Sequence, residues 1–206
     1  MKQLIENSLD KIHKSDVLSK LKVKKDGYML VSAHREENVD SPAKLSGLID
    51  ALNSVAGNYK MPLIFSTHPR TKDRISKSKL KLHKNISSME PFGFYDYNKL
   101  QLDSFCVLSD SGTLAEESSI LGFYGISLRT STERQEAINS GSFIIGGVNE
   151  QGIVQSIEMS KQMKESNEPI AAPLDYLEEN VSLKIVKIIQ SYTAIVNNKV
   201  WAKNNE

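Results

Sequence analysis

The segment of residues 110–117, Asp-Ser-Gly-Thr-Leu-Ala-Glu-Glu, has the composition of a turn that leads from a strand into a helix. Ser111 and Gly112 would leave backbone N–H groups free at the helix N-terminus, where the helix dipole favours an anion such as phosphate. Glu117 falls inside the helix, where its carboxylate could accept hydrogen bonds from sugar hydroxyls. The same pattern also fits a capped helix with surface carboxylates. Because the Gly-x-Gly-x-x-Gly motif and the P-loop lysine are missing, NAD binding and ATP-driven motor chemistry find little support.

Arginine and histidine side chains after other apolar runs are further candidate anion ligands. Arg129 and Arg134 flank a polar loop, and arginine can hold a diphosphate through two parallel hydrogen bonds. His34 follows an apolar run and could act as a general acid–base or pair with phosphate. His68 and Arg70 form a similar but weaker pattern. Each of these side chains could equally have a structural role or lie in solvent, so both interpretations stay open.

Four aromatic residues, Phe92, Phe94, Tyr95 and Tyr97, lie close together in the chain. They could form a wall for a flat base, or they could belong to ordinary packing of the core and its rim. The sequence alone does not separate these two uses.

The composition is that of an ordinary soluble protein and excludes several classes of function. The 206 residues contain 26 Lys and Arg and 25 Asp and Glu, which argues against broad attraction to nucleic acid or an anionic membrane. The single cysteine, Cys106, permits no intrachain disulfide and no cysteine-based metal cluster, and its apolar neighbours indicate a buried thiol. The histidines at 34 and 68 do not make a convincing metal site. The N-terminus is too polar for a signal peptide and no stretch is apolar enough to span a bilayer, so we expect a soluble, cytoplasmic protein.

Short apolar runs alternate with amphipathic segments along the chain. Strands are predicted at 28–33, 63–67, from Ile86, 105–108, 125–128 and 143–145. Helices are predicted after Ser41-Pro42, after Thr71 as a cap, and at 95–102, 112–121, 133–139, 149–164 and 174–197. Strands that are apolar along their whole length and alternate with helices indicate a doubly wound parallel sheet, a Rossmann-like α/β domain. The expected organisation is an N-terminal helical segment (1–24), a Rossmann-like domain (25–165), and a loop with a C-terminal helix (166–206) whose apolar face needs a partner.

The polar clusters all follow predicted strands. They occupy residues 34–38, 68–70, 110–113 and 129–134. Because ligands of doubly wound sheets bind at the carboxyl ends of the strands, these clusters should meet at one ligand-binding edge.

Four of these motifs in order resemble the non-hydrolysing UDP-N-acetylglucosamine 2-epimerase family. They are residues 32–38 (Ser-Ala-His-Arg-Glu-Glu-Asn), 66–70 (Ser-Thr-His-Pro-Arg), 110–117 and 129–134. Residues 92–100 and 109–113 are similar to the capsule and O-antigen branch, whose members form UDP-N-acetyl-L-fucosamine. The resemblance implies two Rossmann-like domains in a glycosyltransferase-B-like arrangement, with this chain as the C-terminal half. It also implies that UDP is eliminated and added back with C2 inverted, without a metal or redox cofactor.

The resemblance also implies roles for individual residues. His34 matches the active-site histidine that contacts the diphosphate, and Arg134 matches the diphosphate-binding arginine. Residues matched to the nucleotide contacts are Phe92 and Tyr97 for uracil, Ser111, Gly112 and Thr113 for phosphate, and Glu117 for ribose. His68 and Arg70 match a loop that could bind a second, regulatory nucleotide sugar.

The chain departs from the family in length and at two prolines. Family members are about twice as long, so we expect a missing N-terminal domain that carries the acidic residues which move the C2 proton. Tyr124 and Gln135 stand where the family often has proline. We therefore interpret the chain as the UDP-binding half of a UDP-N-acetyl-sugar 2-epimerase for capsular or O-antigen precursors, dependent on a complementary N-terminal domain or a homo-oligomer. The alternatives are a non-catalytic nucleotide-sugar-binding or regulatory module and the C-terminal domain of a glycosyltransferase.

Overall fold

Six short strands form a single parallel sheet with helices on both faces in the computed structural model, which describes residues 1–203. The strands are β1 (Met29–Ser32), β2 (Leu63–Ser66), β3 (Ile86–Met89), β4 (Val107–Ser109), β5 (Gly125–Ser127) and β6 (Phe143–Ile145). Their order across the sheet is β3-β2-β1-β4-β5-β6. This is the order of the doubly wound Rossmann-like fold, so the predicted fold class is confirmed.

Strand β1 lies at the centre and pairs with both β2 and β4, with Leu30 opposite Ile64 on one side and Val107 on the other. The chain first winds outwards through β2 to β3 and then returns to β4 on the other side of β1. The loops that follow β1 and β4 therefore diverge from one point. In sheets of this type, that crevice is where ligands bind.

The helices are α1 (Lys2–Glu6), α2 (Leu9–His13), α3 (Val17–Leu21), α4 (Glu36–Val39), α5 (Pro42–Tyr59), α6 (Pro69–Lys77), α7 (Phe94–Leu102), α8 (Leu114–Leu121), α9 (Gln135–Asn139), α10 (Glu150–Glu165) and α11 (Val181–Lys199), with a 3-10 turn at Leu174–Leu177. Ser41 and Pro42 begin α5 as predicted, because proline suits the first helical position. The predicted apolar stripe of α5, at residues 45, 48, 49, 52 and 55, is fully buried.

Alternate residues of β1 enter opposite layers of the core. Met29 and Val31 pack in the cluster that contains α5 and α10, whereas Leu30 packs with residues of α7 and α8. The strand is thus buried on both faces, which explains its uninterrupted apolar sequence. Cys106 is also buried, as predicted, and burial raises the pKa of its thiol to about 12.

Two predicted helix boundaries are wrong. Helix α6 begins at Pro69 with His68 as its N-cap, and Thr71 lies within the helix, where its hydroxyl donates to the Ala33 carbonyl. The predicted helix at 174–197 is divided into the 3-10 turn and α11, because Asn180 adopts a left-handed conformation with φ of 54° between them.

Helix α11 has no buried residue. A stripe at spacings of three and four, which we call the α11 stripe, consists of Val181, Ile185, Ile188, Ile189, Tyr192, Ile195 and Val196, and all seven side chains are exposed. The prediction that this helix lies outside the core is therefore confirmed. Among residues 1–203, no helix combines the length and hydropathy that a membrane crossing requires.

Candidate functional site

A fully buried carboxylate, that of Asp110, organises the crevice where β1 and β4 diverge. It accepts hydrogen bonds from the backbone N–H of His34 at 3.0 and 3.1 Å and of Arg35 at 2.9 Å. It also accepts one from the Asn38 side-chain amide at 3.0 Å, and the same amide donates to the Leu128 carbonyl at 3.0 Å. Asp110 thereby joins the segments that follow β1, β4 and β5. The sequence placed Asp110 in a motif but gave it no role.

The His34 side chain projects into a cavity at this edge. It is half exposed, and its Nδ1 lies 3.5 Å from Asp110 Oδ1. The His68 ring lies close by, with ring centroids 6.4 Å apart. A cavity of about 230 Å³ is lined by both histidines together with Ser32, Tyr97 and Ser111. The structure therefore brings together side chains that follow β1, β2 and β4. The sequence predicted this, because the carboxyl ends of parallel strands share one edge of the sheet.

The aromatic residues fall into two groups. Tyr97 lines the cavity, and burial and the charge of Glu117 raise its pKa, so the phenol is neutral at physiological pH. Phe92 is half buried and packs against the same apolar cluster as Tyr97, the one that contains Leu30 and Leu100. Phe94 and Tyr95 are exposed and contact each other edge to face at a centroid distance of 5.7 Å. Tyr97 is thus available to a ligand in the cavity, whereas Phe92, Phe94 and Tyr95 are not among the residues that line it.

Residues 111–113 form the turn that begins α8. The Ser111 N–H donates to Ser109 Oγ at 3.1 Å, and the Ser111 and Thr113 hydroxyls are 3.0 Å apart. The Gly112 N–H has no acceptor within the described part of the chain. A free N–H at the N-terminus of a helix is suited to an anion. The sequence predicted free N–H groups at both Ser111 and Gly112, and the prediction is wrong for Ser111, because the Ser109 hydroxyl accepts from its N–H.

Two arginines flank the turn, and carboxylates already neutralise both. Arg129 is buried and lies 3.0 Å from a Glu133 oxygen. Arg134 is one-third exposed and lies 3.0 Å from a Glu116 oxygen. Both Nε atoms are buried without a hydrogen-bond partner among residues 1–203. A diphosphate at the turn would therefore compete with glutamates for these guanidinium groups, and the sequence did not indicate this pairing.

Glu117 is buried on the face of α8 that meets α7. The Gln101 side-chain amide donates to Glu117 Oε2 at 2.6 Å. Burial raises the pKa of Glu117, although Gln101 and Thr113 act in the opposite direction. The structure therefore places the predicted ribose ligand beside the turn, but with only 8% of its surface exposed.

The two residues predicted for a second nucleotide-sugar site have different surroundings. His68 caps α6, with its Nδ1 accepting from the Arg70 N–H at 3.3 Å, while its ring faces His34. The Arg70 guanidinium pairs with Glu36 at 2.8 Å and also with Asp40. Both residues line an open recess of about 470 Å³ next to the cavity. His68 therefore lies with the main site, and Arg70 is engaged in ion pairs at its margin.

Together, these groups have the chemistry required by a phosphorylated nucleoside: aromatic rings, a carboxylate for hydroxyls, and an anion-binding turn between two arginines. No three His, Cys, Asp or Glu side chains within residues 1–203 are grouped so that they could hold a metal ion. The fold is of the doubly wound α/β class, and these groups lie at the edge where such folds bind their ligands.

Comparison with known proteins identifies the family. The family model described as UDP-N-acetylglucosamine 2-epimerase matches residues 1–190. The UDP-N-acetylglucosamine 2-epimerase of Methanocaldococcus jannaschii is 35% identical over 143 residues, which cover 68% of this chain and 39% of that protein. The solved UDP-N-acetylglucosamine 2-epimerase of Rickettsia bellii has a TM-score of 0.80 and 34% identity, and the match covers 98% of this chain and 54% of that one.

A further similar structure was solved with ligands bound. The crystal structure of the M. jannaschii UDP-GlcNAc 2-epimerase in complex with UDP-GlcNAc and UDP has a TM-score of 0.68 and 33% identity, covering 75% of this chain and 44% of that one. The chain belongs to the UDP-N-acetylglucosamine 2-epimerase family. It spans about half the length of the relatives it matches.

Proposed function

We propose that this chain is the UDP-binding half of a UDP-N-acetyl-sugar 2-epimerase. The observation that carries the proposal is the turn of residues 111–113, which presents a free N–H between Arg129 and Arg134 at the ligand edge of the sheet. A member of the same family has been solved with UDP and UDP-GlcNAc bound. Family membership favours C2 inversion over transfer of the sugar to an acceptor.

We assign the nucleotide contacts by the position of each residue at the edge. The diphosphate lies at the turn (Ser111, Gly112, Thr113), where Arg134 leaves Glu116 to bind it. Glu117 accepts hydrogen bonds from the ribose, and Phe92 and Tyr97 contact uracil. His34, held through its backbone by Asp110, contacts the diphosphate and assists the departure and return of UDP. The reaction requires no metal or redox cofactor.

The binding edge is open, with the cavity and the neighbouring recess both facing solvent. We propose that a complementary domain closes over it and supplies the groups that move the C2 proton. The chain then corresponds to the C-terminal half of a glycosyltransferase-B-like fold, with a core domain at residues 25–165. We further propose that the enzyme belongs to the branch that forms UDP-N-acetyl-L-fucosamine. It would then supply precursors for capsular or O-antigen synthesis in the cytoplasm. Epimerase turnover by this chain alone would contradict the need for a second domain.

A non-catalytic, regulatory module is the alternative that the two proline departures suggested. The structure shows the surroundings of both positions. The Tyr124 hydroxyl donates to the Glu168 carbonyl at 3.3 Å and so holds the following loop. Gln135 is the first residue of α9, a position that proline would also suit. Neither Tyr124 nor Gln135 lines the cavity or the recess at the binding edge, so the two departures do not argue against the epimerase half.

The first test is calorimetric titration with UDP. We expect saturable binding, and we expect Arg134→Ala to weaken it by about 1–3 kcal/mol, the range for a charge-assisted hydrogen bond. Arg74→Ala is the matched control, because Arg74 is a surface arginine near Asp40 and away from the turn. Absence of wild-type binding at millimolar UDP, or equal losses in the two variants, would refute the proposed site.

The α11 stripe should cause the purified chain to self-associate, because exposed apolar surfaces of this kind find partners. We expect Ile188→Glu to weaken self-association at least about tenfold, since it places an unpaired charge at the contact. Val186→Glu, on another side of the same helix, is the control and should have a smaller effect. Light scattering over a concentration series measures this, and a wild-type chain that stays monomeric throughout would contradict it.

A further inference from the structure

A buried amide, that of Gln101, connects α7 to the carboxylate of Glu117. Gln101 is fully buried, and its Nε2 donates to Glu117 Oε2 at 2.6 Å. Tyr97, which lines the cavity, lies one helical turn earlier on α7 and therefore on the same face. Gln101 thus stands behind the proposed nucleotide contacts without lining the cavity itself.

Packing alone does not account for an amide at this position. The Gln101 Oε1 atom is buried and has no hydrogen-bond partner among residues 1–203. An unpartnered buried oxygen is unfavourable, whereas methionine has a similar volume and no polar atom to satisfy. The neighbouring Leu100 is equally buried and apolar. The chain therefore retains the amide at a cost in stability, and the bond to Glu117 is what the amide provides.

That bond belongs to a chain of polar contacts that reaches the phosphate turn. Gln101 bonds to the Glu117 side chain, the Glu117 N–H donates to the Thr113 carbonyl at 2.9 Å, and the Thr113 hydroxyl lies 3.0 Å from that of Ser111. An ionised carboxylate can accept about four hydrogen bonds through its two oxygens. With Oε2 held by Gln101, the orientation of the carboxylate is fixed, and the remaining lone pairs are available to hydroxyl donors.

We propose that Gln101 is a positioning residue for recognition of the ribose: it orients Glu117 so that the carboxylate accepts hydrogen bonds from the ribose hydroxyls of the nucleotide. The proposal rests on the proposed function, in which Glu117 contacts the ribose of UDP. Its consequence is selectivity, because a fixed carboxylate distinguishes a ribonucleotide from a deoxyribonucleotide that lacks one donor. Gln101 acts on the ligand only through Glu117.

The test compares UDP, 2′-deoxy-UDP and 3′-deoxy-UDP by calorimetry on the full chain and on Gln101→Met. For the wild type, we expect at least one deoxy analogue to bind about tenfold or more weakly than UDP, the effect of losing a hydrogen bond to a charged group. In Gln101→Met that ratio should fall towards one, while the affinity for the deoxy analogue stays close to the wild-type value. A general structural defect would instead weaken all three ligands together.

Leu100→Met is the matched control, because it changes an adjacent buried side chain of α7 that has no bond to Glu117. If Gln101→Met does not fold, Gln101→Asn replaces it: the shorter amide remains polar but cannot span the same distance. An unchanged ratio in the folded Gln101 variant, or a wild type that binds all three ligands equally, would overturn the proposal. Failure of the wild type to bind UDP would instead refute the proposed function.

Discussion

Replacement of Asp110 by alanine is expected to lower the free energy of unfolding by about 3–5 kcal/mol, the cost of removing one member of a buried, charge-assisted cluster. The variant should also lose measurable UDP binding. Asp110 is fully buried, and its carboxylate accepts from two backbone N–H groups and the Asn38 amide. Without it, these donors remain in the crevice with no acceptor, and the segment that carries His34 is no longer held against β4.

Urea unfolding followed by circular dichroism measures the stability, and calorimetry below the unfolding transition measures UDP binding. Asp103→Ala is the matched control, because Asp103 is also buried and pairs with Lys99 at 2.7 Å, but it lies before β4 at the opposite edge of the sheet. That variant should lose stability and keep its affinity for UDP. Wild-type UDP affinity in Asp110→Ala would show that this carboxylate does not organise the site.

The sheet and its binding edge could be predicted from the sequence because they depend on local patterns. A strand buried on both faces, such as β1, reads as an uninterrupted apolar run, and the polar residues that follow such strands must lie at the same edge. His34, His68 and Ser111 meet at one cavity for this reason, and Tyr97 of α7 lines the same cavity. The four ordered motifs also indicated the family, and the match to the family model confirms that resemblance.

The partners of the site residues could not be predicted, because they come from distant parts of the chain. Asp110 bonds to residues 75 and 76 positions away, and no local pattern marks it as the centre of a cluster. The pairing of Arg134 with Glu116 and the bond from Gln101 to Glu117 likewise depend on how α7, α8 and α9 pack. The division of residues 174–199 escaped prediction because it depends on one left-handed residue, Asn180.

Two adjacent glutamates of α8 therefore have different environments although the sequence presents them as a pair. Glu116 faces Arg134 at 3.0 Å, whereas Glu117 is buried against α7. Because successive helical residues point about 100° apart, one helix can hold an arginine with the first and contact a sugar with the second. Their replacement should therefore have different consequences for UDP binding.

Glu117→Gln is expected to weaken UDP binding by about ten- to a hundredfold, because the ribose loses a charged acceptor. The same variant should be more stable than the wild type at neutral pH, since burial raises the pKa of Glu117 above its ordinary value of 4.5 and so penalises the ionised form in the folded protein. A rise in Tm of about 2–4 °C per kcal/mol gained is typical of a chain of this size. Thermal unfolding and calorimetry on the same samples measure both effects.

The sign of the pH dependence follows from the direction of that pKa. The folded protein binds this proton more readily than the unfolded chain, so the contribution of Glu117 to stability improves as the pH falls from neutrality through the raised pKa towards 4.5. UDP affinity should decline over the same interval, because the protonated carboxyl is a weaker acceptor. In Glu117→Gln, both of these dependences should be absent.

Glu116→Gln is the neighbouring control: it releases Arg134 and should leave UDP affinity unchanged or increased. If Glu116→Gln weakens binding as much as Glu117→Gln does, α8 does not divide the two roles between its adjacent carboxylates.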